Sequence, residues 1–289
     1  MLTASTVKTA LPWTNRQGRL CPFRLVVFLG LLVPAAIIAF DLPFGPVQAE
    51  PYKSSIHSSG TWAVRFLLLS LAVTPMRRIL GWNRLISIRR MIGLSVLAYA
   101  FLHLGLYAAQ QGWDLVKVTS EITSRIYLTI GFSALIGLAI LGATSFDAAI
   151  RKLGRTWNKL HSLIYAIGAV ALVHFFLQSK SDVTEPTLMA GLFVLLMSYR
   201  SAVKLGWRLD RFLVLAICAV AASAVTAGIE YAWYDLATGI PADRVFMANF
   251  NPGNSIRPAV WTAITGLIVS LVPLLLNLGR MAGFKLRFA

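Results

Sequence analysis

Apolar side chains run along this chain in eight unbroken stretches, at about 25–42, 60–76, 91–110, 126–145, 160–178, 187–204, 212–234 and 259–279. A helix rises ~1.5 Å per residue and crosses a hydrocarbon core in about 20 residues. Each stretch is therefore read as a membrane-spanning helix. The second is short and carries Arg65 near its start, where the side chain can snorkel to the interface. The runs are continuous rather than alternating, which argues against a strand barrel. The polar stretch 235–258 reads as a loop. The pattern predicts an all-α, polytopic transmembrane helical bundle of about eight spans, without a soluble domain, repeat array or low-complexity tract.

Composition agrees. Of 289 residues, 57% are apolar and 13% charged, against roughly 45–50% and about 25% in a soluble domain. This excludes an ordinary cytosolic enzyme, a disordered chain and a secreted disulfide scaffold. Cys21 and Cys218 are far apart and form no CxxC, so neither a disulfide framework nor a zinc site is implied.

The net charge of +16 is a matter of placement. Twenty of the 27 Lys and Arg fall in the N-terminal tail, the C-terminus, the loops after spans two and four, and around the end of span six. The opposite loops hold six, and nine of the eleven acids lie on that second side. Cationic loops stay in the cytoplasm, so both termini are expected there. The charge is then a topology signal, and nucleic acid is not an expected partner. Basic residues, an apolar run and Val47-Gln48-Ala49 also resemble a cleaved secretion signal. The long basic region and the long gap before Ala49 favour a retained first span.

Three of the four histidines lie inside spans: His103, His161 and His174. His57 falls in an outer, serine-rich segment and reads as a solvated loop residue. Ionisable groups within a membrane are rare and usually functional, although each could instead bridge two helices by a hydrogen bond. His161 and His174 share the fifth span, about 20 Å apart along its axis. His161 sits near the cytoplasmic end, His174 toward the outer end. Between them, Gly168 and Ala171 leave room for a flat macrocycle, or simply let helices pack closely. His103 lies about 20 Å in from Arg90, and His174 about 22 Å in from Lys159. The two can face each other at one depth. Tyr99 and Tyr107 flank His103 at i−4 and i+4, suited to a ring edge or to core packing.

Two neutral imidazoles suit zinc, copper or haem iron. No Cys, Asp or Glu in these two spans completes a zinc site. Bis-imidazole haem needs only two ligands and an apolar slot, so haem fits best. His161 could serve a second haem, but lacks an obvious histidine partner. Arg89 and Arg90 are candidates for holding propionates or a quinone head group, or act only as topology-setting charges.

Three segments carry a family resemblance: SGTWAVRFLLLSLAVTPMRR from Ser59, RRMIGLSVLAYAFLHLGLY from Arg89 and LGRTWNKLHSLIYAIGAVALVHFFL from Leu153. Over Ser59–Pro186 the chain resembles the MsrQ (YedZ) family of haem-binding membrane subunits, within the ferric reductase-like transmembrane family. The LGRTWNKLHSLIY segment is the most specific; the histidine spacing of thirteen identifies only the superfamily. The resemblance implies a tail (1–24), a six-span haem-binding domain (25–204) and a two-span extension (205–289). It implies a bacterial inner-membrane protein carrying haem b, one or two copies, on His103, His161 and His174. FMN is implied too, with no residue assigned. Electrons would pass from the quinone pool, or a separate flavin reductase, to MsrP, a periplasmic molybdopterin enzyme that reduces methionine sulfoxide in oxidised proteins. Two features depart from the family: SRIY before the fourth span, where a KRPY-like form is expected, and the chain beyond the six-span core.

No GxGxxG follows a strand, so no nicotinamide-binding domain is expected. Two alternatives stand beside the electron conduit. One is a ferric or other metal reductase acting at the outer face. The other is a proton-coupled transporter, which would want acids at the midplane; here the acids cluster in outer loops.

Overall fold

The computed structural model describes residues 11–14, 17–44, 51–180, 182–251, 253 and 255–281. Val47-Gln48-Ala49 and several basic tail residues, among them Lys8, Arg16, Lys285 and Arg287, lie outside the described residues. The described residues form an all-helical chain: α1 (Pro22–Phe44), α2 (Pro51–Leu80), α3 (Arg89–Gln110), α4 (Leu115–Ser124), α5 (Ile126–Ala143) and α6 (Asp147–Leu153). Then follow α7 (Arg155–Ser162), α8 (Ile164–Ser179), α9 (Thr184–Lys204), α10 (Phe212–Ala237), α11 (Ala242–Met247) and α12 (Pro258–Met281).

Seven helical segments are long and apolar enough to cross a membrane: 22–42, 83–110, 126–143, 155–179, 184–204, 212–237 and 258–279. The expected span at 60–76 is not among them. It lies inside α2, which at 30 residues is about 45 Å long. Its apolar face is shielded by protein, with Leu67 and Leu71 each 2% exposed. Arg65 stays at the surface, its guanidinium 4.8 Å above the Trp62 ring.

Three further differences from the sequence expectation are local. The serine-rich segment before Gly60 is helix, not loop. Ser55 and Ser59 are buried in it, and the Ser59 hydroxyl back-bonds to the Ile56 carbonyl at 2.8 Å. The fifth span breaks at Leu163, where the Leu163 N–H bonds the Leu160 carbonyl, an i−3 contact that tightens the turn. The polar stretch 235–258 contains the end of α10, all of α11 and the start of α12.

The chain divides into two compact units, 1–70 with 87–171, and 71–86 with 172–289. In the first, Tyr99 joins α3 to α1. Its hydroxyl donates to the Leu31 carbonyl and accepts from the Ala35 N–H, both at 2.8 Å. The phenol is thus inserted into the α1 ladder beside Pro34, a site where helices bend. Gly142 on α5 meets the Leu97 side chain of α3 so closely that a Cβ there would force the Leu97 methyl to shift. An exposed ion pair, Arg90–Asp147 at 2.6 Å, links the start of α3 to α6.

In the second unit α9, α10 and α12 pack on small residues. Gly191 lies against Thr226 and Thr262, and Gly266 against Ala219. Pro75 in α2 has no N–H to offer the Leu71 carbonyl. Arg200 of α9 supplies the donor, its Nη2 2.7 Å from that oxygen. Glu230 of α10 is buried and ion-paired through Oε1 with Arg257.

Candidate functional site

His103 sits in the C-terminal half of α3, half-buried, with Nδ1 2.8 Å from the Ile56 carbonyl of α2. A carbonyl oxygen only accepts, so Nδ1 carries the proton and Nε2 carries the lone pair. This carbonyl-held tautomer is the one a metal-ligating imidazole adopts. Gly60, one turn on from Ile56, makes the approach possible: a Cβ there would lie 3.0 Å from Nδ1 and 3.1 Å from Cε1 of His103. Ile56 and Gly60 together form a seat on α2, a carbonyl and a gap, that fixes the ring.

His161 is set differently. It lies in the last turn of α7, stacked on Trp157 with ring centroids 4.0 Å apart. The Trp157 indole N–H donates to the Thr144 carbonyl at 2.9 Å. The Thr144 hydroxyl lies 2.9 Å from the Ile140 carbonyl and 3.0 Å from His161 Nε2. With its proton spent on Ile140, Thr144 Oγ1 accepts from Nε2–H. The lone pair of His161 is then on Nδ1, the opposite tautomer to His103. The first unit thus brings together Thr144, Trp157 and His161, and Arg89 opens α3 in the same unit. Arg90 is engaged instead with Asp147.

His174 lies in α8, half-buried, in the second unit. Two residues on, Phe176 packs against Trp233 of α10 at 5.1 Å. Neighbours at i+2 point about 160° apart on a helix, so His174 does not share the face that meets α10. Tyr99, read beside His103 as a ring-edge candidate, is committed to α1. Sequence reasoning missed Ile56, Gly60, Thr144 and Trp157. Only Trp157, at i−4 from His161, carried a spacing signal.

Residues 59–173, which include both His103 and His161, match the family described as ferric reductase like transmembrane component. The chain is 41% identical over 163 residues to the protein-methionine-sulfoxide reductase heme-binding subunit MsrQ of Xanthomonas oryzae pv. oryzae, covering 55% of this chain and 74% of the relative. The protein of the same name from Xanthomonas campestris pv. campestris is 41% identical over 186 residues, or 61% of this chain and 84% of the relative. The chain belongs to the MsrQ family. The Bordetella pertussis member is 37% identical over 186 residues and is covered to 90% of its length, with 60% of this chain. No solved structure matches. Family members are thus spanned for most of their length, while about two fifths of this chain lies outside the two longer matches.

Proposed function

We propose that this chain is a haem b electron-transfer subunit of the bacterial inner membrane, with α2 crossing as an eighth span shielded by protein and both termini cytoplasmic. It takes electrons from the quinone pool, or from a separate flavin reductase, and passes them to a periplasmic methionine sulfoxide reductase of the MsrP type. The observation that carries the reading is the setting of His103: a lone-pair Nε2 fixed from behind by the Ile56 carbonyl. Its donor chemistry fits an axial ligand to haem iron. Bound haem would supply a one-electron couple in an apolar site.

In this reading His103 and His174, expected at one depth from their positions along the sequence, would hold the outer haem. His161 serves a second, inner site or the point of electron entry, and turning to present Nε2 would require it to leave Thr144. Arg89 supplies positive charge there for a carboxylate or phosphate. FMN remains without an assigned residue, and no step is routed through it.

The test is spectroscopic and then functional. Purified protein should show a low-spin reduced-minus-oxidised haem spectrum. Quinol should reduce it, and reoxidation should require both a periplasmic sulfoxide reductase and methionine sulfoxide. The family description favours one second reading, a ferric reductase. Rapid reoxidation by a ferric chelate, with none by the sulfoxide reductase, would put that reading first.

A further inference from the structure

Between α9 and α10 the second unit has a cavity of about 280 Å³, lined by Trp207, Arg208, Arg211, Leu213 and Ile217 among others. The turn that builds it is fixed by the backbone. Gly206 takes φ +81, and the Trp207 N–H reaches back to the Ala202 carbonyl at 2.8 Å, closing α9 as a Schellman-type cap. Trp207 therefore leaves the helix in a set direction, its side chain 46% exposed.

The cavity is amphiphilic. On one side are two arginines. Arg208 forks onto Asp210, with Nε at 3.1 Å and Nη2 at 2.5 Å, so its charge is largely balanced within the protein. The Arg211 side chain makes no hydrogen bond or salt bridge among the described residues. On the other side the lining is aliphatic, and it continues: Leu213, Ile217 and Val220 are 66%, 47% and 62% exposed. At i, i+4 and i+7 they form one stripe along the first two turns of α10, about 10 Å long. A cation, an indole and an aliphatic stripe that continues along α10 match one kind of molecule.

We propose that this cavity binds an anionic glycerophospholipid, with its phosphate on Arg211, its glycerol against Trp207 and one acyl chain along Leu213, Ile217 and Val220. Inorganic phosphate would use the arginine but not the track. A zwitterionic lipid would use the track and gain less from the arginine. Basic pockets between spans take anionic head groups in this way. The inference needs only the membrane location and not the haem reading.

The full-length protein in mild detergent is incubated with equimolar phosphatidylglycerol and phosphatidylcholine, and retained lipid is counted by native mass spectrometry. Preferential retention of phosphatidylglycerol is expected. Arg211→Gln should lower that retention about five-fold, the worth of one cation near a lipid head group, and lower phosphatidylcholine by a smaller factor. Arg151→Gln, an equal loss of charge in α6, should change neither. Ile217→Asn should weaken phosphatidylglycerol without touching Arg211. Equal retention of the two lipids by the wild type overturns the proposal, as does an equal loss in Arg151→Gln. Displacement by millimolar inorganic phosphate as effective as by a short-chain phosphatidylglycerol would reduce the site to a phosphate site and overturn the lipid assignment.

Discussion

His103 is held against the Ile56 carbonyl at 2.8 Å because residue 60 has no side chain. The relationship has a direct consequence. Gly60→Ala places a methyl 3.0 Å from Nδ1 and 3.1 Å from Cε1, so the imidazole must shift. Ala is a better helix former than Gly by about 1 kcal/mol, so any loss arises at the ring and not in α2. Disturbing the group that orients a metal ligand costs on the order of 10- to 100-fold in affinity. Haem retained by purified Gly60→Ala should fall accordingly while the yield of folded protein holds. Wild-type haem content in this variant would remove Gly60 from the site.

The three membrane histidines should separate by spectrum. His103→Ala and His174→Ala should each abolish most of the low-spin signal, since iron needs both axial positions filled. His161→Ala should keep the outer haem and slow its reduction by the donor. Retention of a wild-type spectrum and redox titration by either of the first two breaks the pairing. Loss of all haem in His161→Ala would make His161 the ligand opposite His103.

Much of this was legible before folding, for a physical reason. Length and apolarity alone decide where a helix can cross lipid, and the run at 126–145 became α5 at Ile126–Ala143. What failed was polarity read without context. Ser54, Ser55 and Ser58 suggested a loop, yet Ser55 is 5% and Ser59 0% exposed within α2. Serine can return its hydroxyl to the helix carbonyls, as Ser59 does to Ile56. The break at Leu163 was not legible, because leucine is a good helix former. His103 was visible as an intramembrane histidine. Its tautomer was not, since that depends on a carbonyl 47 positions away.

Arg200 substitutes for the N–H that Pro75 lacks, which makes the two residues energetically dependent. Arg200→Ala leaves the carbonyl of Leu71 unmet on a residue only 2% exposed, at a cost of about 1–3 kcal/mol. Pro75→Ala returns a backbone donor to the same oxygen. In that background Arg200→Ala should cost less, with a coupling of about 1 kcal/mol in a double-mutant cycle. Thermal unfolding in detergent measures all four corners. Strict additivity would mean that Arg200 stabilises through contacts other than Leu71.

Glu230 and Arg257 form the buried ion pair of the C-terminal unit, with side chains 1% and 18% exposed. Their level is set by packing. Gly191, Thr226 and Thr262 meet in one layer of α9, α10 and α12, and Glu230 lies one turn on from Thr226 along α10. Among the described residues Glu230 Oε2 and Arg257 Nε have no hydrogen-bond partner, nor does the fully buried hydroxyl of Thr187, one turn before Gly191. An ion pair so placed is costly to break and cheap to replace. Glu230→Leu strands the guanidinium and should destabilise by about 3 kcal/mol, the lower end for a buried pair because Arg257 retains some exposure. Glu230→Leu with Arg257→Leu removes both charges and should recover most of that loss. If the double variant is no more stable than Glu230→Leu alone, the pair is not the dominant contact. The outer end of the unit would then rest on the threonine–glycine layer.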